Sequence, residues 1–306
     1  LELTGARPSR RTLLTLGAGT ALAAAVTTGG TAYAAAPDGD RICRRLRELE
    51  QEHSARLGVF AHNTATGRTV AHRDGELFPM CSTFKTIAAA AVLRDLDRDG
   101  EFLAKRIHYT KKEVEDSGYD KITGRDENVA NGMTVEELCA AAVSFSDNGA
   151  ANLLLRELGG PTAVTRFCRS TGDGITRLDR WEPALNSAEP DRTTDVTTPR
   201  AIGRTYARLV LGNVLEPADR ERLTRWLLGN TTSDERLRKY LVPAGWTVAD
   251  KTGAGSYGTS NNVGIVWPPH GAPIVMSILT TKSEKGAEGD SPLIAETAKL
   301  LASALG

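Results

Sequence analysis

From Asp40 to His53 the apolar residues Ile42, Leu46 and Leu49 recur at helical spacing among charged neighbours, which predicts an amphipathic first helix. The pattern then changes. Leu57–His62 and Thr69–His72 read as strands, and the intervening Asn63-Thr64-Ala65-Thr66-Gly67 is a turn signal that predicts a hairpin. From about residue 82 to 228 the spacing is helical, broken by polar loops. Helices are predicted over Val135–Phe145, Ala150–Leu158, Thr162–Ser170, Pro199–Leu211 and Ala218–Leu228. Strand-like runs return at Trp246–Asp250, Asn262–Trp267 and Ile274–Leu279, and a last helix is predicted over Pro292–Leu305.

Early and late strands around a helical middle imply an α/β chain: one antiparallel five-stranded sheet flanked by helices, plus an all-helical lobe. The α/β lobe is expected over about 38–80 and 229–306, and the helical lobe over about 81–228. A cleft between lobes is a usual place for a site. There is no internal repeat and no low-complexity linker. The longest irregular stretch, Arg177 to Asp195, has two prolines and several charges. It predicts an Ω-shaped loop, clamped by Arg180 with Asp195, that presents Glu182.

Composition narrows the class. The chain has 306 residues, 40% of them hydrophobic, enough for a large core. Lys+Arg and Asp+Glu are both 38, so no strong field points to nucleic acid or to an acidic membrane surface. The first residues differ in kind: Ser9-Arg10-Arg11-Thr12-Leu13-Leu14 leads into a small, apolar run from Leu16 to Val26, then Ala32-Tyr33-Ala34. This reads as an export signal over residues 1–34, with paired arginines of the twin-arginine type and cleavage after Ala34. Removing it takes away Glu2, Arg7, Arg10 and Arg11, and leaves 35–306 with a charge of about −2. No other stretch is apolar enough to span a bilayer, so a soluble, secreted product without stable membrane association is expected.

Cys43, Cys81, Cys139 and Cys168 sit in helical surroundings in a chain large enough to do without staples, so Cys81, Cys139 and Cys168 are expected to remain thiols. The five histidines, at 53, 62, 72, 108 and 270, show neither H-E-x-x-H nor a close His/Asp cluster, so no metal and no cofactor is expected.

The chemistry centres on Met80-Cys81-Ser82-Thr83-Phe84-Lys85. Ser82 is the only one of fifteen serines with a lysine three residues on, and that spacing puts an ammonium on the same helical face as the hydroxyl. Serine is a weak nucleophile at neutral pH and needs such a neighbour. Three further strings follow: Ser146-Asp147-Asn148, Glu182-Pro183-Ala184-Leu185-Asn186 and Lys251-Thr252-Gly253. Singly each has a bland reading, as a helix start, a loop carboxylate or a turn. Together and in this order they resemble the class A serine β-lactamases, whose S-x-x-K, S-D-N and K-T-G strings define the pattern. The resemblance runs from about Asp38 to the C-terminus and includes Gly132-Met133-Thr134-Val135 and Arg177-Leu178-Asp179-Arg180-Trp181.

The resemblance implies a serine β-lactamase or penicillin-binding-protein-like fold and a small-molecule β-lactam substrate, handled by a monomer. Ser82 would attack the lactam carbonyl, with main-chain N–H groups of Ser82 and Ala254 stabilising the oxyanion. Lys85 would ease deprotonation, and Ser146, with Lys251 nearby, would pass a proton to the lactam nitrogen. The first proton acceptor is left open between lysine and glutamate. Glu182 and Asn186 would activate the deacylating water. Asn148 would bind the substrate amide, and Lys251, Thr252 and Gly253, with Ser256, would line its carboxylate. Many relatives place an arginine after K-T-G, where this chain has Thr259-Ser260-Asn261-Asn262; another version of the family uses one where Arg236 stands. Some relatives also tie the cysteine before the nucleophile to one beyond K-T-G, but Gly255 and Ser256 stand there, so Cys81 lacks that partner. Two alternatives share parts of the pattern: a D-Ala-D-Ala peptidase, which lacks the Glu-bearing loop, and a penicillin sensor, which needs a membrane segment.

Overall fold

The computed structural model of the protein describes residues 37–306, so the export signal read at 1–34 lies outside the described residues. Five strands form one antiparallel sheet: Arg56–Asn63, Thr69–His72, Thr247–Gly255, Thr259–Trp267 and Ile274–Thr281. The spatial order runs from Thr69–His72 through Arg56–Asn63, Ile274–Thr281 and Thr259–Trp267 to Thr247–Gly255 at the far edge. The chain opens in the sheet, leaves for its helical middle, and returns to close it, with Arg56 opposite Thr281 and Asn63 opposite Ile274.

Strand side chains alternate between faces, and the two faces carry two cores. Phe60, Ala249, Val263, Ile265, Val275 and Leu279 pack into the larger core with the middle helices. Their neighbours Val59, Ala61, Val248, Val266, Met276 and Ile278 pack into the second with the first and last helices, Pro37–Glu52 and Ser291–Leu305. Those helices contribute Leu46, Leu49, Leu293 and Leu301, all fully or almost fully buried. Each such side chain is worth about 1.5–3 kcal/mol relative to exposure, which is what holds a first helix whose outer face is mostly charge.

Helix starts carry their own signals. Thr134 Oγ1 accepts from Glu137 N while Glu137 Oε2 accepts from Thr134 N, a capping box that opens Val135–Ser144. Helices also form over Asn148–Glu157, Thr162–Ser170, Pro199–Val210 and Pro217–Leu228. The spacing-based helix boundaries agree to within two residues, apart from the first helix, which begins three residues earlier, and the strand expected from Asn262 begins at Thr259. The strand expected to stop at Asp250 instead runs to Gly255, with Lys251 to Gly255 paired with Val263 to Thr259. Polar residues that suggest a turn there lie inside a paired strand.

Among the described residues no helix is long and apolar enough to cross a membrane. All four cysteines are free thiols, with Cys81, Cys139 and Cys168 buried. Burial pushes Cys81 and Cys168 up to about 12, which leaves little reactive thiolate.

Candidate active site

Ser82 lies in a single 3-10 turn, Cys81–Thr83, ahead of the helix Phe84–Ala91. Cys81 takes φ +46°, a left-handed conformation uncommon for a residue with a side chain. The turn is tethered on both sides. Asn261 Nδ2 donates to the carbonyls of Pro79 (2.8 Å) and Met80 (3.2 Å), and the Tyr206 hydroxyl donates to the Thr83 carbonyl (2.7 Å). Lys85 follows, wholly buried. Its ammonium donates to the Ser146 carbonyl (2.7 Å) and Asn148 Oδ1 (2.5 Å) and pairs with Glu182 Oε1 at 3.1 Å. Ser82 Oγ donates to that same Glu182 oxygen at 3.4 Å, not to Lys85. The i+3 spacing puts both groups on one face, and a carboxylate oxygen joins them.

Ser146 sits between two helices at φ +60°. The next residue, Asp147, is wholly buried and fully used: its oxygens accept from Ala150 N, Ile122 N, Thr123 N and Thr123 Oγ1 at 2.7–3.0 Å. It therefore caps Asn148–Glu157 and ties the segment before it, so the capping reading of this string holds for Asp147. Asn148 Nδ2 donates to the Ser117 carbonyl (2.9 Å), which leaves Oδ1 turned to Lys85.

Glu182 is 4% exposed. Its other oxygen, Oε2, accepts from Asn186 Nδ2 at 2.5 Å, across one turn of the 3-10 segment Ala184–Ser187. Asn152 grips the main chain of Glu182 from both directions, donating to its carbonyl (2.9 Å) and accepting from its N–H (3.0 Å). The expected clamp is present: Arg180 Nε donates to Asp195 Oδ2 at 2.7 Å.

Opposite lies the edge strand. Lys251 Nζ donates to Ser146 Oγ (2.9 Å), and Thr252 Oγ1 meets Thr232 Oγ1 at 2.5 Å. A Cβ at Gly253 would stand 2.9 Å from the Met80 carbonyl, so glycine lets the strand press against the turn that carries Ser82 and brings Ala254 alongside it. Ser256 N donates to the Asn186 carbonyl (2.9 Å), linking this strand to the Glu182 loop. Arg236 is half-buried behind the strand, its Nη1 on the carbonyls of Gly253 (3.2 Å) and Asn261 (3.1 Å) and its Nε on Ser291 Oγ (3.2 Å). It is anchored to the K-T-G strand rather than free in solvent.

The two lysines share an electrostatic cause. Burial pushes the Lys85 ammonium below the usual lysine value, against the pull of Glu182. Lys251 is pushed well below it by burial and then by repulsion from Lys85. Burial also lowers Arg236. A cleft of about 750 Å³ elsewhere, lined by Glu76, Pro190, Arg192 and Lys282, contains none of the candidate residues, so chemistry rather than volume marks this site.

A profile of the β-lactamase enzyme family matches residues 41–305. A β-lactamase of Streptomyces lavendulae is 67% identical over 303 residues, 99% of each chain. One of Streptomyces fradiae is 63% identical, over 100% of this chain and 99% of that one. The chain belongs to the β-lactamase enzyme family. Among solved structures, the β-lactamase from Streptomyces albus G matches at TM-score 0.86 and 61% identity, over 87% of this chain and 100% of that chain. An ancestral class A β-lactamase matches at TM-score 0.80 and 49% identity, over 86% and 99%. The fold is thus the class A fold, and the protein is a hydrolase.

In this class A enzyme the structure adds residues that sequence reasoning did not single out. Asn261 ties the turn that carries Ser82 to the sheet, Asn152 holds Glu182, and Asp250 accepts from Arg238, Asn230 and Asn262 beside Lys251. Thr259-Ser260-Asn261-Asn262 gave a signal: these four polar residues are at most 1% exposed, inside a strand that continues as Val263 to Trp267. The structure also gathers Glu52 at the end of the first helix, His53 just after it and Glu296 on the last helix, but Arg45 already holds Glu52 (2.6 Å).

Proposed function

We propose that this enzyme opens the amide of a β-lactam through an ester on Ser82 and clears that ester with water activated by Glu182, so conferring β-lactam resistance. One observation carries the reading: a single buried carboxylate touches Ser82 Oγ and Lys85 Nζ through one oxygen and Asn186 through the other. Asn186 Oδ1 is itself buried without a hydrogen-bond partner among the described residues, an acceptor available to a water beside Glu182.

In the first half-reaction Ser82 Oγ bonds to the carbonyl carbon and gives its proton to Glu182, with the Lys85 cation holding the developing charge in a dry site. Main-chain N–H groups of Ser82 and Ala254 take the oxyanion. As the C–N bond breaks, Ser146, steadied by Lys251, hands its hydroxyl proton to the lactam nitrogen and is reprotonated by the proton Glu182 took from Ser82, passed on through Lys85, so that Glu182 is again a carboxylate. In the second half-reaction Glu182 takes a proton from water, which attacks the ester carbonyl, and returns that proton to Ser82 Oγ as the ester C–O bond breaks. Asn148 orients the substrate amide, while Lys251, Thr252 and Arg236 supply charge and hydrogen bonds to its carboxylate. Residues 1–34 serve as the export leader and 35–306 as a secreted, monomeric catalytic domain; N-terminal sequencing of secreted protein checks the cleavage point.

Glu182→Ala tests the mechanism. General-base removal costs about 10²–10⁴-fold, roughly 3–5 kcal/mol of barrier. Acylation is expected to survive in part, because Lys85 freed of Glu182 can take the Ser82 proton, whereas deacylation loses its base. Mass spectrometry of the mutant with benzylpenicillin should show a persistent adduct on the Ser82 peptide. Turnover at the parent rate, or a stable adduct on the unmodified enzyme alone, would reject the proposal in favour of a penicillin-binding peptidase.

A further inference from the structure

We propose that a cleft between the first and last helices is an anion site that takes a chain of phosphate groups. The cleft has a volume of about 690 Å³ and is rimmed by Arg41, Arg44, Arg45 and Arg68, with Leu300 and Ser303 behind them. Arg41 and Arg44 are one turn apart on Pro37–Glu52, so their side chains share a face. Arg68 joins them from the turn that precedes Thr69–His72.

The charges on this rim are unbalanced. Among the described residues Arg41, Arg44 and Arg68 are exposed and make no ion pair or side-chain hydrogen bond. Several other arginines are matched, Arg56 with Glu76, Arg73 with Glu50, Arg156 with Glu113 and Arg177 with Asp179; exposed Arg47, Arg98, Arg125 and Arg225 make no ion pair among the described residues, but none of them lines this cleft. The side-chain carboxylate on the rim, Glu48, is taken by Arg45 (3.3 Å), which also grips Glu52 (2.6 Å), and Gly306 lines the cleft without an ion pair among the described residues. At the end of the last helix the Leu305 carbonyl is occupied by Asn63 Nδ2 (2.8 Å).

Three guanidiniums on one rim with no side-chain carboxylate paired to them repel one another, and a multivalent anion relieves that repulsion. The planar guanidinium fork matches the paired oxygens of a phosphate. The space is in the range of small-molecule sites and exceeds what one phosphate fills, which favours linked phosphates, as in an oligophosphate or a phosphodiester chain. Arg68 adjoins one edge strand of the sheet and Lys251 lies on the other, so this site is separate from the catalytic groups.

Isothermal titration of the purified enzyme with sodium tripolyphosphate, at low ionic strength where exposed charges act most strongly, tests this. Saturable binding of one tripolyphosphate per molecule is expected. Arg44→Gln combined with Arg68→Gln should weaken it at least about tenfold, with β-lactam hydrolysis unchanged. Arg44→Lys with Arg68→Lys should restore only part, because lysine lacks the fork. Binding that ignores the double glutamine substitution, or several weak sites per molecule, overturns the proposal. Phosphatidylglycerol vesicles separate the sources. Co-sedimentation abolished by the same substitutions assigns the phosphates to lipid headgroups, tripolyphosphate binding without co-sedimentation assigns them to a soluble or polymeric chain, and failure of both overturns the site.

Discussion

Two segments carry charged groups to the site, and they are held by different means. Lys251 rides on Thr247–Gly255, which pairs along its whole length with Thr259–Trp267. Main-chain hydrogen bonds set its position, and no single side-chain substitution removes them. Glu182 rides on residues 177–195, whose course is fixed by side chains. Asp195, wholly buried, accepts from Asp179 N (2.8 Å), Arg180 N (2.9 Å), Arg180 Nε (2.7 Å) and Arg192 Nη2 (2.5 Å). Arg192 in turn donates to the Leu185 carbonyl (3.2 Å). A ladder distributes its support over many equivalent bonds; a side-chain network concentrates it in a few residues, which makes the Glu182 side of the site the vulnerable one.

The comparison breaks most visibly at Asp195→Ala. Removing one partner of a buried pair costs about 3–5 kcal/mol, at the lower end here because Arg180 is partly exposed. A misplacement of Glu182 by about 1 Å costs roughly 10²-fold. Stopped-flow kinetics should show a near-normal acylation burst followed by deacylation slowed about 100-fold. Loss of both phases in equal measure would mean that the loop also supports the strand side.

On the strand side, Arg236→Ala should raise KM for penicillins about tenfold, with a smaller fall in kcat, since a charge on the substrate carboxylate acts in ground and transition states alike. Steady-state kinetics decides it; an unchanged KM would confine Arg236 to bracing Gly253 and Asn261. The smallest effect expected is a shift in pH profile. Lys251 is held well below the ordinary 10.5 by burial, so its cation is lost as pH rises through that lowered value. The alkaline limb of kcat/KM should therefore fall below pH 10.5, and Lys251→Arg should move it upward because guanidinium stays charged. An alkaline limb that does not move would assign it to another group, Lys85 first, since burial lowers it too. Both lowered values also mean that the unfolded chain binds more protons than the folded one below 10.5, so stability gains from rising pH across that window.

Sequence spacing was informative where local physics decides. The amphipathic first helix, the hairpin around Asn63 and the five strands were legible from periodicity, and the strings at Ser82, Ser146, Glu182 and Lys251 picked out groups that the fold brings into one hydrogen-bonded cluster. Arg236 was legible only by resemblance. Asn261 and Asn152 were not, because their role lies in reaching main-chain groups on distant segments: Asn261 Nδ2 bonds across 182 residues to Pro79 and Asn152 Nδ2 across 30 to Glu182. The contact of Ser82 with Glu182 rather than Lys85 belongs to the same kind, since it depends on where the loop settles and not on the helix that carries the lysine.

The sheet order has a consequence for how the molecule comes into being. Arg56–Asn63 is paired on one side with its near neighbour in sequence and on the other with Ile274–Thr281, more than two hundred residues later. Such pairings pay a large loop-closure entropy before they return any energy, and chains dominated by them fold slowly. The first strand must wait, one edge unpaired, until the last has left the ribosome, and the edge strand bearing Lys251 joins through Thr259–Trp267 only then. Assembly of the site therefore comes late in folding: a growing chain can hold its hairpin and helices, but the cluster that joins Ser82 and Lys251 is complete only once Ile274–Thr281 is in place.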